Sequence, residues 1–379
     1  LQSKRRSWFM FSTLTPSPGS PPRSRRPLSR LAAVASGLAF VLFGGSVALP
    51  AVAAEPGELA ARELRHIAKT FPGRMAGTPR EDQTARYVAD RLLAMGYKPS
   101  LHRFGTRYTF RWINKPERGH DFRTLISTNV IAERRGTSGK QIIVGAHVDS
   151  RTPTSDTDLE RRIGGPELEG LDANASGTGA LLELAQAFSK AAPTHTIQLI
   201  AFGAEEIGLH GAIEVVNRMT PKERARTLWM VNIDGIVTGD GLYFHAGPKT
   251  VAKDPKAGAA RDRALAIAAK LGIAAATNPG LNPEHPKGTG CCSDQAAFDD
   301  AGIPVVNVEA THWELGDKDG YQQTSVGKAF PNGYSWHLVD IDNRAHLEAN
   351  LPAGRVDERA RDVIRILVPL VGELAGGKR

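Results

Sequence analysis

The chain has 379 residues, 41% of them hydrophobic and 23% charged, an ordinary globular composition with room for one large core or two domains. The net charge of +8 misleads: residues 1–54 carry Lys4, Arg5, Arg6, Arg23, Arg25, Arg26 and Arg30 and no acid, so 41 of the 48 basic residues face 40 acids in the remainder. That balance excludes a basic nucleic-acid footprint, and no nucleic-acid partner is expected.

The first segment has the pattern of an export signal. Arg25, Arg26 and Arg30 precede the apolar stretch Leu31 to Leu49, and Ala51-Val52-Ala53-Ala54 offers small residues for cleavage. The alternative is a retained membrane anchor, for which the stretch is about long enough. Three glycines and the cleavage-like end favour removal instead. We therefore expect a leader over 1–54, a mature domain over 55–379 beginning near Glu55, and membrane contact only through an uncleaved leader. Ser24 to Leu28 is faintly similar to a twin-arginine signal, and Met10 is a candidate start.

Beyond the leader, Glu58 to His66 and Asp82 to Met95 have helical apolar spacing, and Gly96 stops the second. Asn129 to Glu133 and Gln141 to Val148 are expected strands, separated by a polar turn containing Gly136 and Gly139. Arg151 to Glu169 is a long polar loop over the strand ends, and loops of that length are usually functional or mobile. Asp172 to Lys190 is expected to be helical, Thr196 to Phe202 a strand, and Leu209 to Met219 a helix. Strands at Thr227 to Ile233 and Gly241 to His245 follow, then a helix over Arg261 to Leu271. A Gly/Pro-rich loop runs from Asn278 to Gly290; Gln295 to Ala301 is a short helix, Ile303 to Glu309 a strand and Val356 to Ala375 a closing helix. Strands alternating with helices predict an α/β fold: a mixed, mostly parallel central sheet, helices on both faces, in a single domain. The lone cysteines, Cys291 and Cys292, are adjacent and cannot by themselves form a tetrahedral zinc site; a structural pair beside the active site is expected.

Chemistry gathers at the strand ends. His147 and Asp149 close one strand, Asp172 follows a loop, Glu205-Glu206 follow Phe202-Gly203, and Asp234 follows Ile233. Carboxyl ends of strands in open α/β sheets share one crevice. One histidine among several carboxylates there is a metal site, and two divalent ions fit it better than one. Asp149, two residues beyond His147, points to the same face and can orient its ring. A further histidine from the last third is needed, with His285, His312, His337 and His346 as candidates.

These residues, together with Phe71 to Met75, Thr277 to Asn282, Pro286 to Cys292, Lys318 to Gln323 and Ser335-Trp336-His337, resemble the M28 peptidase family of co-catalytic zinc aminopeptidases over nearly the whole mature chain. The resemblance implies a zinc-exopeptidase fold of the phosphorylase/hydrolase-like type. It also implies two zinc ions held by His147, Asp172, Glu206, Asp234 and His337, with Asp172 as the shared carboxylate and Glu205 as general base. Trp336 stands where relatives often carry a tyrosine, so Tyr334 or Tyr321 is expected to serve the oxyanion. The implied activity is release of N-terminal residues from peptides or proteins outside the cytoplasm, with basic residues favoured. The rivals are a single-zinc glutaminyl cyclase of the same clan, a carboxypeptidase or deacylase with an inserted domain that this chain lacks, and a non-catalytic binding protein. Oligomeric state is not legible. A serine hydrolase is disfavoured because no Gly-x-Ser-x-Gly elbow precedes a helix.

Overall fold

The computed structural model describes residues 55–377, and the expected leader and its cleavage site lie outside the described residues. The strands are β1 (Ser100–Arg111), β2 (His120–Arg134), β3 (Gln141–His147), β4 (Thr196–Phe202), β5 (Thr227–Ile233), β6 (Gly241–Ala246) and β7 (Val305–Thr311). They form one sheet in the order β1-β2-β4-β3-β5-β7-β6. Its centre, β4-β3-β5-β7, is parallel, while β1–β2, β2–β4 and β6–β7 pair antiparallel. The expected mixed sheet forms, with parallel pairing at its centre and antiparallel pairing at both margins.

Alternation along β3 explains why helices cover both faces. Ile142, Val144, Ala146 and Val148 enter one apolar cluster, while Ile143 enters another with Ile200, Phe202, Met230 and Val305. Helices α1 (Glu58–Thr70), α2 (Pro79–Ala94), α3 (Gly177–Phe188), α5 (Ala259–Leu271) and α6 (Arg355–Leu374) pack on the first face. The second face is covered by α4 (His210–Arg218) and the short helix Gln295–Asp300 through Ala212, Val216, Ala297 and Phe298. Leu64 and Leu181 are essentially without exposure, and truncating either to alanine is expected to cost about 2–5 kcal/mol. The start of α2 is fixed by Thr78, whose hydroxyl accepts from the Glu81 amide, and by Pro79 in the first turn.

Three sequence expectations change. The strand expected at Asn129 to Glu133 is the end of the much longer β2, and β4, not β3, lies beside it. The helix expected from Asp172 begins only at Gly177; Leu171–Ser176 is a separate turn in which Ala173 (φ −106°, ψ 99°) and Asn174 (φ −134°, ψ 42°) leave helical geometry. The loop Arg151 to Glu169 holds a short helix, Asp156–Glu160, capped by Ser155.

Parallel strands place their carboxyl ends on one edge. His147 is the last residue of β3, Glu205 and Glu206 follow β4, Asp234 follows β5, and Glu309 lies near the end of β7.

Candidate active site

His147 is 2% exposed, and its Nδ1 faces the backbone carbonyl of Asp149 at 3.1 Å. A carbonyl only accepts, so Nδ1 carries a proton and Nε2 is the nitrogen turned to the carboxylates. Nε2 lies 3.3 Å from Asp234 Oδ1 and 3.9 Å from Glu205 Oε2. Burial alone would lower the proton affinity of this ring, but Glu205 and Asp234 outweigh it and hold it well above the ordinary histidine range. The carboxylates around Nε2 therefore favour a positive charge there.

Asp149 orients this centre mainly through the backbone. Its carboxylate accepts from the Glu205 and Glu206 amides, both at 3.1 Å, and stays 3.6 Å from His147 Nδ1. The turn it holds is strained, since Ala204 has φ 56°. The Ala204 amide donates to the buried Glu81 carboxylate at 3.1 Å. Two adjacent acids are thus aimed into one cavity from a clamped backbone.

Their electrostatics diverge. Burial raises the proton affinity of Glu205 well above the carboxylate range, with His147 opposing and Glu206, Asp294 and Asp234 adding to it. Burial would raise Glu206 too, but His337 and Arg151 hold it down to about 2. Glu206 Oε2 lies 3.1 Å from His337 Nε2 and 3.6 Å from Arg151 Nη1, and its buried Oε1 has no hydrogen-bond partner. Paired acids whose environments push their proton affinities apart are suited to different roles.

The structure brings His147, Glu205, Glu206, Asp234 and His337 to one cavity of about 640 Å³. His312 sits elsewhere, beside Asp240 at 3.3 Å, while His285 packs on Trp313 and His346 contacts the Ala329 carbonyl. Asp172 is not brought to the cavity. Its carboxylate is fully buried and turned away, accepting from the Val237 amide (2.8 Å), Gln323 Nε2 (2.8 Å), the Ser335 hydroxyl (3.1 Å) and the Thr238 amide (3.3 Å). The residue of that turn that lines the cavity is Ala173. A side chain committed to four donors is a structural anchor, and the expected shared carboxylate does not line the cavity with His147, Glu206, Asp234 and His337.

The fit to a divalent ion rests on Glu206 Oε1, a buried carboxylate oxygen with nothing to bind, and on His147 Nε2 among acids. Atoms of His147, Glu205 and Glu206 lie within 4.8 Å of one another. Mixed imidazole and carboxylate donors suit zinc.

Arg151, Glu309 and Asp319 were not marked as cavity residues by the sequence, whereas Tyr321, Tyr334, Trp336 and the Cys291–Cys292 pair were expected near the site. Arg151 donates to the Glu206 carbonyl at 3.1 Å, and Glu309 accepts from Trp313 Nε1 at 2.9 Å and faces His245 Nε2 at 3.1 Å. Asp319, Tyr321, Tyr334 and Trp336 also line the wall, as does the Cys291–Cys292 pair, which is joined as a disulfide. Behind the site, the wholly buried Arg74 donates to the carbonyls of Val148 (2.8 Å), Gly170 (2.6 Å) and Glu169.

Residues 129–354 match the model of peptidase family M28. Over 346 residues the chain is 45% identical to the alkaline phosphatase isozyme conversion protein of Escherichia coli, covering 91% of this chain and 97% of that protein. An aminopeptidase of Pseudomonas aeruginosa is 33% identical over 36% of this chain and 23% of its own length. Among solved structures, a zinc aminopeptidase from Bacillus subtilis shares the fold with a TM-score of 0.61 at 16% identity, over 85% of this chain and 95% of that one. A glutaminyl cyclase from Fimbriiglobus ruber does so at 0.58 and 17% identity, over 83% and 94%.

Proposed function

The chain belongs to peptidase family M28 and is a metallo-hydrolase, and from that premise we propose that it is an exported aminopeptidase working with two zinc ions. The observation that carries this reading is the convergence of His147, Asp234, Glu205, Glu206 and His337 on one cavity at the sheet's carboxyl edge. One ion would be held by His147 and Asp234, the other by Glu206 and His337; Asp172 has no place in either set.

Bound zinc supplies Lewis acidity and makes a neutral-pH nucleophile available from water. The chain's own residues do the rest. Glu205, with its raised proton affinity, takes the proton of the attacking water and returns it to the leaving amine. Asp149 keeps Glu205 in reach by clamping its amide. Tyr321 and Tyr334 line the cavity, and one of their hydroxyls would meet the developing oxyanion. Glu309 and Asp319 add carboxylates to the cavity lining, which favours a cationic side chain at the substrate's N-terminal residue.

The test uses the mature protein stripped of metal by chelation and reloaded with zinc. Arginyl-, lysyl- and leucyl-nitroanilides, an N-acetylated peptide, and a peptide starting with glutamine form the panel. Zinc-restored cleavage of free N-termini, best for the basic residues, is expected. Equal cleavage of the acetylated peptide would exclude an aminopeptidase, and ammonia release from the glutamine peptide without cleavage would make the enzyme a cyclase.

A further inference from the structure

The turn Leu171–Ser176 decides how the two proposed ion sites relate. Asp342, wholly buried, pins this turn by accepting from the Asp172 amide at 2.7 Å and the Ala173 amide at 3.1 Å. Gly170, at φ 54°, lies so close that a β-carbon there would sit 2.6 Å from the Ala173 carbonyl oxygen. With both amides held by Asp342, the neighbouring side chains go opposite ways. The Asp172 carboxylate goes to its four donors, and the Ala173 methyl goes to the cavity that His147, Asp234, Glu206 and His337 line.

The cavity side chains consequently divide into two close pairs that no carboxylate of this turn joins, although atoms of His147, Glu205 and Glu206 lie within 4.8 Å of one another. His147 and Asp234 are 3.3 Å apart, with Glu205 3.9 Å from the same nitrogen; Glu206 and His337 are 3.1 Å apart. The surroundings of the pairs differ in charge and cover. His147 is buried among acids, Asp149 and Glu205 included, whereas His337 is 34% exposed and Arg151 lies 3.6 Å from Glu206. A neighbouring guanidinium opposes a second dication, and each carboxylate withheld from a site weakens the ion it holds.

We infer that the two zinc ions bind one after the other with widely separated affinities, the first at His147–Asp234 and the second weakly at Glu206–His337, because Ala173 occupies the cavity position from which a carboxylate could serve both. This rests on the two-zinc reading above. It also assigns Ala173, not Asp172, as the residue that sets the second affinity.

Calorimetric titration of the metal-free mature protein with zinc, backed by metal analysis after dialysis at low free zinc, tests it. The wild type is expected to retain close to one ion after dialysis and to titrate a second at least a hundredfold more weakly. His337→Ala should remove only the weak phase. Ala173→Asp should tighten the second ion at least tenfold and raise retention towards two. Asp172→Asn should leave both affinities in place while lowering the melting temperature. Two equally tight ions in the wild type, or a zinc lost in a folded Asp172→Asn protein, would overturn the inference and leave the two-zinc reading intact. A single ion at any zinc concentration would remove both.

Discussion

Glutamine at 205 and at 206 should produce opposite failures, although the two acids are neighbours. Glu205 is nearly buried, its nearest basic group is His147 Nε2 at 3.9 Å, and among the described residues no donor is hydrogen-bonded to its carboxylate. A nearly isosteric amide therefore fits, and the burial that penalises the charged acid no longer applies. Zinc content and melting temperature should hold. The amide cannot take a proton, and general acid–base catalysis is worth about 10²–10⁴-fold, so kcat should fall by that factor, about 2.7–5.4 kcal/mol, with KM little changed. Glu206 is different because His337 and Arg151 hold it charged and because it is a proposed zinc ligand, 3.1 Å from His337 Nε2. A unit charge pair 4 Å apart at an effective dielectric of 20 is worth about 4 kcal/mol, so neutralising it should weaken zinc on the order of a thousandfold. Metal analysis of both variants beside nitroanilide kinetics at saturating zinc separates the cases. Zinc lost from Glu205→Gln, with Glu206→Gln fully loaded and inactive, would reverse the two roles.

His337→Ala should reduce zinc uptake and activity while His312→Ala, at a histidine outside the cavity, changes neither by more than about twofold; the opposite result in metal analysis would make His312 the ligand. Arg74→Met should cost about 3–5 kcal/mol in denaturant unfolding, because it strands three carbonyls and leaves Asp342 without its buried cation; a loss under 1 kcal/mol would show that the guanidinium is not a keystone of the loop. N-terminal sequencing of the exported protein should begin near Glu55, and a sequence that still contains Leu31 to Leu49 would mean an anchored enzyme.

What the sequence made legible follows from how locally each feature is encoded. Buried parallel strands are short apolar runs with sharp ends, so β4 and β5 match their expected limits to the residue. The same ends located His147, Glu205, Glu206 and Asp234. β1 escaped notice because its inward face, His102, Phe104, Thr106, Tyr108 and Phe110, alternates in burial but not in hydrophobicity, with a histidine and a threonine among the inward residues. The turn after Gly170 was misjudged for another reason. Asp172 and Ala173 are consecutive, and which of them faces the cavity depends on amides held by Asp342, 170 residues away from Asp172. Glu309 and Asp319 were invisible as cavity residues because nothing near them in the chain marks where β7 ends in space.

The outermost strand bears on how copies of this protein meet. β1 runs along one edge of the sheet, with β2 as its sheet neighbour, and such an edge is a template for pairing with another chain. Its twelve residues include Arg103, Arg107 and Arg111 and no acid. In a fully aligned antiparallel contact of two such edges, Arg103 would stand opposite Tyr108, Arg107 opposite Phe104 and Arg111 opposite Ser100, so each copy would bring three guanidinium groups to one pair of strands. The positive charge of this margin opposes pairing with a second edge of the same sign, and that opposition is strongest at low ionic strength.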